Sequence, residues 1–497
     1  MFAALNSFLT RAVSGYFLNK SLRFRSSASA YLNRTPATAT NQKTWTWSAW
    51  VKRGKLATQS PLFFAGTAAT DYTLVQFRST DELQITQNDA STSTAYIISS
   101  ALFRDPAAWY HIVAIWNTTS ATATATGTTA DRLQLWVNGV QINSFSSTLI
   151  PAQNTNSFMD STSVHYQTRY DTVYFDGEMA EVNFIDGRAV PIAELGASSI
   201  YNQWLPIKYA GTYGTNGFYL PFTNTTSTST LVADSSGNAN NWTPNNISLT
   251  AGSTYDSLTD VPTLTSTTAA NYVVWNPLWQ GRTNSPTNGN LDYPASSVGI
   301  GTMDLSTGSF YWEITATGGI ATVAVYSTAV SSSAAVALGL TYGFKFNGST
   351  GAFDYTTNGT TFTSIATGLT SGPYFIYIST AAATTASLNA GQRPLAYSAP
   401  TGFVALNTFN IAAGTVTTSG TFTGNASTDG PMVWLNGTPT AMTINGNAVT
   451  FGTQADKLAN GFKVRSSSAS YNASGSNTYV ATTVGAVFKY EDAQSNP

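Results

Sequence analysis

Three carboxylates stand close together at Asp176, Glu178 and Glu181. Two carboxyls about 5 Å apart can hydrolyse a glycosidic bond with retention, one as nucleophile and one as acid. Residues two apart on a strand share a face, so Asp176 and Glu178 are expected on one side and Glu181 on the other. Catalysis of this kind needs acids at i, i+2 and i+4, or at i+5 across a bulge. Glu181 is at i+5 from Asp176, but the aromatic residues that would frame a cleft are missing. The three are read as structural, and no catalytic residue is assigned.

The remaining chemistry is sparse. His111 lies in Trp109-Tyr110-His111-Ile112-Val113 and reads as a sheet histidine rather than a base. His165 is placed in a polar loop near Tyr166 and Arg169, with no nucleophile to serve. These are the chain's 2 histidines, and it has 0 cysteines. Thiolate metal sites, disulfides and cysteine nucleophiles are thereby excluded. Asp71, Asp89 and Asp131 sit near turns and could ligate a structural Ca²⁺ with backbone carbonyls. They form no dense acidic loop, so no metal or cofactor site is assigned. No phosphate-binding loop or nucleophile elbow is present.

The elements that would carry these residues are strands. Charged residues are only 9% of the 497, while aromatics reach 13%. The polar surface must come from Thr, Ser, Asn and Gln, which favour strands and turns. Trp45-Thr46-Trp47-Ser48-Ala49-Trp50-Val51-Lys52 alternates as a half-buried strand does. Further strands are expected at Tyr72–Phe77, Leu83–Thr86, Trp109–Trp116, Leu133–Val137 and Gly177–Phe184. Asn138-Gly139 marks a hairpin. Trp45, Trp47, Trp50, Trp109, Trp116 and Trp136 are expected mostly in a core. Trp204, Trp242, Trp275 and Trp279 lie in turn-rich sequence and are free to stack on a sugar or a neighbouring subunit. Phe2, Leu5, Leu9, Ala12, Val13, Tyr16 and Phe17 are spaced as on an amphipathic helix over residues 1–20.

The order Trp-Thr-Trp-Ser-Ala-Trp-Val-Lys, Trp-Tyr-His-Ile-Val, Leu-Trp-Val-Asn-Gly-Val and Gly-Glu-Met-Ala-Glu-Val-Asn-Phe resembles the concanavalin A-like, laminin-G-like jelly roll over residues 21–195. That resemblance implies two stacked antiparallel sheets and, in many members, glycan binding. Gly308-Ser309-Phe310-Tyr311-Trp312-Glu313-Ile314, Tyr342-Gly343-Phe344, Asn358-Gly359 and Gly391-Gln392-Arg393-Pro394-Leu395-Ala396-Tyr397 resemble a SPRY-type domain over residues 261–411. It implies a second β-sandwich. Between them, residues 196–260 read as a structured connector rich in aromatics. Residues 412–497 read as a C-terminal β region. It has a hairpin at Ile444–Val449, one helical turn near Asp456–Leu458 and a closing strand at Val487–Tyr490. The expected fold class is all-β: tandem antiparallel sandwiches, a jelly roll plus a SPRY-like domain, with a short N-terminal helix.

The net charge of −2 comes from 22 basic and 24 acidic residues with no long single-sign run. Nucleic-acid binding and polybasic membrane attachment both need clustered cations. Neutral surface and aromatic content suit carbohydrate better, and no membrane insertion is expected. Jelly roll followed by SPRY-type domain resembles virion components of phages. The expected function is therefore a structural virion protein, a tail or capsid fibre or decoration subunit meeting host glycans, with no enzymatic activity. The expected partners are other virion proteins through the N-terminus and two further copies in a homotrimer, since sheet edges with few charges need cover. A glycan-degrading tail enzyme and a secreted lectin or adhesin are the competing readings.

Overall fold

The computed structural model describes residues 16–122, 127–128, 130–199, 203–327, 330–336 and 339–411, and the segments 419–424, 431–435, 441–448, 455–458, 461–464, 475–482 and 487–492. Of the expected N-terminal helix, residues 1–15 lie outside the described residues, and residues 16–20 are not helical. The chain divides into two compact units, residues 1–197 with 206–410, and residues 198–205 with 411–497.

The first unit holds both sandwiches. Its first sandwich runs through β1 (Ser21–Phe24), β2 (Tyr31–Arg34), β3 (Thr44–Arg53), β4 (Ser60–Ala68), β5 (Asp71–Phe77), β6 (Glu82–Asp89), β7 (Thr92–Leu102) and β8 (Trp109–Asn117). It continues through β9 (Leu133–Val137), β10 (Val140–Gln141), β11 (Phe145–Leu149), β12 (Val164–Gln167), β13 (Arg169–Tyr170), β14 (Val173–Tyr174) and β15 (Gly177–Asp186). One sheet has the order β10-β9-β8-β3-β15-β1, and the other β11-β7-β6-β5-β4-β12-β2. The turn between β9 and β10 places Asn138 at φ 49° and Gly139 at φ 78°, the left-handed pair that a tight hairpin requires.

Alternation on β3 sends Trp45, Trp47, Ala49 and Val51 into the core between the sheets. Phe63, Val75, Ile85 and Ile97 meet them from the other sheet. Trp47 stacks on Phe63 at 6.1 Å and Trp45 on Trp116 at 6.2 Å. Contrary to the half-buried expectation, β3 is buried on both faces from Trp45 to Arg53. Its outer face is covered by chain from farther along. Thr46 Oγ1 donates to Arg188 O and accepts from Val190 N. Val190, Leu195 and Tyr209 pack over Val113, Ile115 and Ile185.

The connector is woven into this sandwich. Phe218–Leu220 pairs with β15, Thr243–Asn245 with β2, and Ser257–Leu258 with β1. Asp234 organises the intervening loop by accepting from Tyr219 N, Ser236 N and Asn240 N, each at 2.8 Å. Among the described residues, α-helix is confined to the single turn Thr228–Leu231.

The second sandwich packs a sheet ordered Asp292–Tyr293, Thr385–Asn389, Ser309–Thr317, Thr341–Asn347, Ala352–Thr356, Thr363–Ala366 against one ordered Val298–Asp304, Phe375–Thr380, Ala321–Tyr326, Val330–Val336. Trp312 stacks between Phe344 at 5.9 Å and Phe353 at 6.0 Å in its interior.

In the second unit, the described residues form two four-stranded sheets. Ala441–Ile444 pairs with Asn447–Ala448 across Asn445 and Gly446, both at positive φ. Ala455–Leu458 is a strand paired antiparallel with Gly461–Val464, so the segment expected to make a helical turn is extended instead. Val487–Asp492 pairs with Pro431–Leu435.

Candidate functional site

The acidic trio is placed by β15 and its neighbours. Asp176 immediately precedes the strand. Its carboxylate accepts from Gly289 N at 2.7 Å, Asn288 N at 3.0 Å and Ser26 Oγ at 2.7 Å. A Cβ on Gly54 would fall 2.3 Å from Asp176 Oδ1, so only glycine leaves room there. Glu178 pairs across the sheet with Lys52 and is 1% exposed. Both of its carboxylate oxygens lack a hydrogen-bond partner. Burial first, then the neighbouring Asp260 carboxylate, push its pKa well above the ordinary range, against Lys52, Arg23 and Arg393.

These residues belong to a seam between the two sandwiches. Lys52 Nζ donates to Asp260 Oδ2 at 2.6 Å, Asn271 Oδ1 at 2.7 Å and Tyr272 O at 3.1 Å. Trp109 Nε1 donates to Asp260 Oδ1 at 3.0 Å. Arg23 and Arg25 converge on Asp256 at 3.1 and 2.8 Å. Arg393, from the second sandwich, donates to Ser253 O at 2.6 Å, and burial lowers its pKa to about 9. A carboxyl of raised pKa is what a general acid needs, but here it faces packed protein.

Glu181 corrects the simple alternation. The register between β15 and β3 shifts between Ala180 and Asn183, and Glu181 adopts φ 53°. This bulge turns its carboxylate toward Tyr219, which lies opposite Asn183. Glu181 thus lies on the outer side with Glu178, not on the opposite face. Its oxygens accept from Tyr16 and Tyr219 hydroxyls at 2.8 Å each, and those two hydroxyls are themselves 2.8 Å apart. Burial raises Glu181 to about 7.

Neither histidine is exposed. His111 stacks on Trp50 at 4.9 Å and its Nε2 lies 2.8 Å from Ser48 Oγ; burial lowers its pKa to about 3. His165 is on strand β12 rather than in a loop. Its Nε2 accepts from Asp160 N at 3.2 Å and its Nδ1 lies 2.9 Å from Ser163 O, with its pKa lowered to about 4 by burial. Asp71 and Asp89 end adjacent strands, but Asp131 sits apart, accepting from Gly127 N and Thr128 N. Among the described residues no three His, Cys, Asp or Glu side chains converge as metal ligands would.

Two of the tryptophans expected to be free are not. Trp242 joins the first core, edge-on to Phe218 at 4.9 Å. Trp275 is fully buried and donates to Leu291 O at 3.0 Å. Trp279 is half-buried against Tyr326 at 5.4 Å.

The aromatic surface lies elsewhere, on the outward side of the other sheet. Tyr166, Phe64, Leu74, Thr86 and Tyr96 are direct cross-strand partners from β12 to β7 and so form one rank across that face. The β13–β14 hairpin adds Tyr170 and Tyr174. Phe64 lies 5.8 Å from Tyr72, 5.7 Å from Tyr166 and 5.6 Å from Tyr170. Tyr31 from β2 meets Tyr166 at 5.6 Å and Tyr174 at 6.0 Å. Tyr31, Tyr166, Tyr170, Tyr174 and Arg169 are all partly exposed. The sequence carried one signal for this cluster that went unread: tyrosines at positions 166, 170 and 174, with Arg169 among them.

Residues 26–194 match the Laminin_G_3 family profile of the concanavalin A-like lectin/glucanases superfamily. The first sandwich therefore has a lectin-like, concanavalin A-like fold. No curated protein matches the chain. A putative carbohydrate binding protein from Bacteroides ovatus is 13% identical, with 46% of this chain and 59% of that one covered and a TM-score of 0.30. Domains LG4-5 of the mouse laminin alpha1 chain are 8% identical, covering 80% of this chain and 88% of that one, with a TM-score of 0.27. The TRIM65 PSpry domain is 11% identical over 24% of this chain and 91% of that one, with a TM-score of 0.20. No helix among the described residues is long and apolar enough to cross a membrane.

Proposed function

We propose that the chain is a non-catalytic structural subunit of a phage particle, a tail or capsid fibre or decoration protein, and that it meets host carbohydrate through the tyrosine face of its first sandwich. The observation that carries the carbohydrate reading is the cluster of partly exposed Tyr31, Tyr166, Tyr170 and Tyr174 on a lectin-like fold. Tyrosine offers a rigid apolar ring with a wet hydroxyl end, which matches a sugar's C–H face and its rim of hydroxyls. The non-catalytic reading is supported by the seam, where Asp176 and Glu178 are buried under packed protein.

The virion reading rests on a cysteine-free, weakly charged chain and on the order of its β modules, the second taken as a SPRY-type sandwich. Attachment to other virion proteins is through the N-terminal segment, and the assembly is a homotrimer. The particle forms in the bacterial cytoplasm. The reading requires no cofactor.

Two measurements test it. Gold-labelled antibody against the chain should decorate intact particles; absence of label from purified particles removes the virion reading. A glycan panel probed with the purified full chain should give binding that Tyr166→Ala and Tyr170→Ala abolish. Oligosaccharide released from host polysaccharide by the wild type, but not by Glu178→Gln, would instead make it a depolymerase.

A further inference from the structure

Arg169 is held as a prepared guanidinium. Its central carbon lies 4.7 Å from the ring centroid of Tyr31, 4.7 Å from that of Tyr166 and 5.8 Å from that of Tyr174. Those rings come from three strands, β2, β12 and β14, so the group is gripped by the sheet and its appended hairpin. Nε donates to Asp171 O at 2.9 Å within the hairpin turn. Among the described residues Arg169 makes no ion pair and its Nη groups make no hydrogen bond. The hydroxyls of Tyr31, Tyr166 and Tyr174 likewise have no partner there.

A guanidinium packed on aromatic faces is fixed in plane, and its two Nη groups form a fork that fits a carboxylate bidentately. Arg53 shows the contrasting, satisfied case. It lies 4.3 Å over the Phe77 ring, and its Nη2 is paired with Asp81 at 3.0 Å. Arg169 has the same stacking without the acid.

We infer that the ligand of the tyrosine face carries a carboxylate, that is, an acidic sugar seated with its carboxylate on the Arg169 fork and its hydroxyls on Tyr31, Tyr166 and Tyr174. This rests on the carbohydrate reading above and narrows it. One fork answers a single negative charge. A phosphate, with nearly two charges, would leave one of them unanswered by that single fork. Uronic and nonulosonic acids share the required chemistry.

The test uses the full chain with two probes, oligoglucuronate and oligosialic acid, each beside its carboxyl-reduced form, by titration calorimetry. Carboxyl reduction should weaken binding of the preferred probe about thirtyfold, the range expected for a charged hydrogen-bonded contact. Arg169→Gln should lose the same factor on the acid and nothing on the reduced form. Arg169→Lys, which keeps charge but not the fork, should lose an intermediate factor, and rising salt should weaken only the acidic probe. Which acid binds separates the two sources. Equal binding of acid and reduced forms, or an unchanged Arg169→Gln, overturns the inference and leaves the carbohydrate reading standing. No binding of either form, nor of any neutral glycan on the panel, overturns both.

Discussion

The first sandwich has two outward faces, and they have opposite fates. The face carrying Lys52, Trp50, His111, Glu178 and Glu181 is the richer in titratable groups, yet these residues are all buried, 4% exposed or less. Val190, Ile192, Leu195, Tyr209 and Tyr213, together with the second sandwich, cover it. The face carrying Tyr31, Tyr166, Tyr170 and Arg169 has nearly no acid–base chemistry and stays partly open. Burial has closed the acids of the first face off from any ligand. The second face keeps what recognition requires, rigid rings and unspent donors. Position relative to the rest of the chain, rather than residue type, decides which face can meet a ligand.

The sharpest way to break this contrast is at Asp260. It takes Lys52 Nζ and Trp109 Nε1 and is itself fully buried. Asp260→Leu leaves the lysine ammonium hydrogen-bonded only to the Asn271 and Tyr272 carbonyl oxygens, with the unbonded Glu178 carboxyl as its remaining acidic neighbour. Removing one partner of a buried pair costs about 3–5 kcal/mol. Urea unfolding should show a loss of that size. A loss below about 1 kcal/mol would mean that the seam does not fasten the sandwiches together.

Glu181 gives the next effect, through pH. Three oxygen–oxygen contacts of 2.8 Å join Glu181, Tyr16 and Tyr219. The bonds from the two phenols favour the carboxylate, but burial outweighs them and favours the protonated acid. The folded pKa of about 7 stands above the ordinary glutamate value of 4.5, so folding favours the protonated form. Its contribution is fully present below pH 4.5 and is lost as pH rises through about 7. Relative to Glu181→Gln, which carries permanent donors, the wild type should lose roughly 3 kcal/mol between those limits. A flat difference across that range would show that the carboxyl is not desolvated.

On the open face the same kind of truncation should do less to stability and more to binding. Tyr170 packs against Tyr72 at 4.9 Å and Phe64 at 5.6 Å while remaining partly exposed. Tyr170→Ala should cost about 1 kcal/mol, the scale of an aromatic pair, and should abolish glycan binding. A larger loss of stability would make Tyr170 part of the core and remove the contrast between the faces.

The strands of the first sandwich were legible because alternation and turn chemistry are local. Trp45 and Trp47 point inward as their spacing demands, and Asn138-Gly139 turns the hairpin. What failed was whatever depended on distant chain. Nothing around Trp242 in sequence says that Phe63 and Phe218 will enclose it. The alternation rule put Glu181 on the wrong face because a one-residue bulge is a property of the pairing with β3, not of β15 alone. The tyrosine face was missed for the same reason. Tyr31, Phe64 and Tyr166 lie on three strands far apart in sequence, and only the register of β2, β12 and β4 brings them together.

The smallest expected stability change is at Arg169, and it is most useful beside Arg53. Both guanidiniums lie on aromatic rings, Arg53 on Phe77 and Arg169 on Tyr31 and Tyr166. Arg53 is fully buried and paired with Asp81, so Arg53→Gln leaves that carboxylate with Arg104 and the Ala57 N–H and should cost about 3 kcal/mol. Arg169→Gln gives up a partly exposed cation–ring contact with no acid behind it, worth about 0.5–1 kcal/mol. Thermal and urea unfolding of the two variants should therefore differ several-fold in destabilisation. If they destabilise equally, Arg169 is a structural brace like Arg53, and its fork is not held in reserve for a ligand.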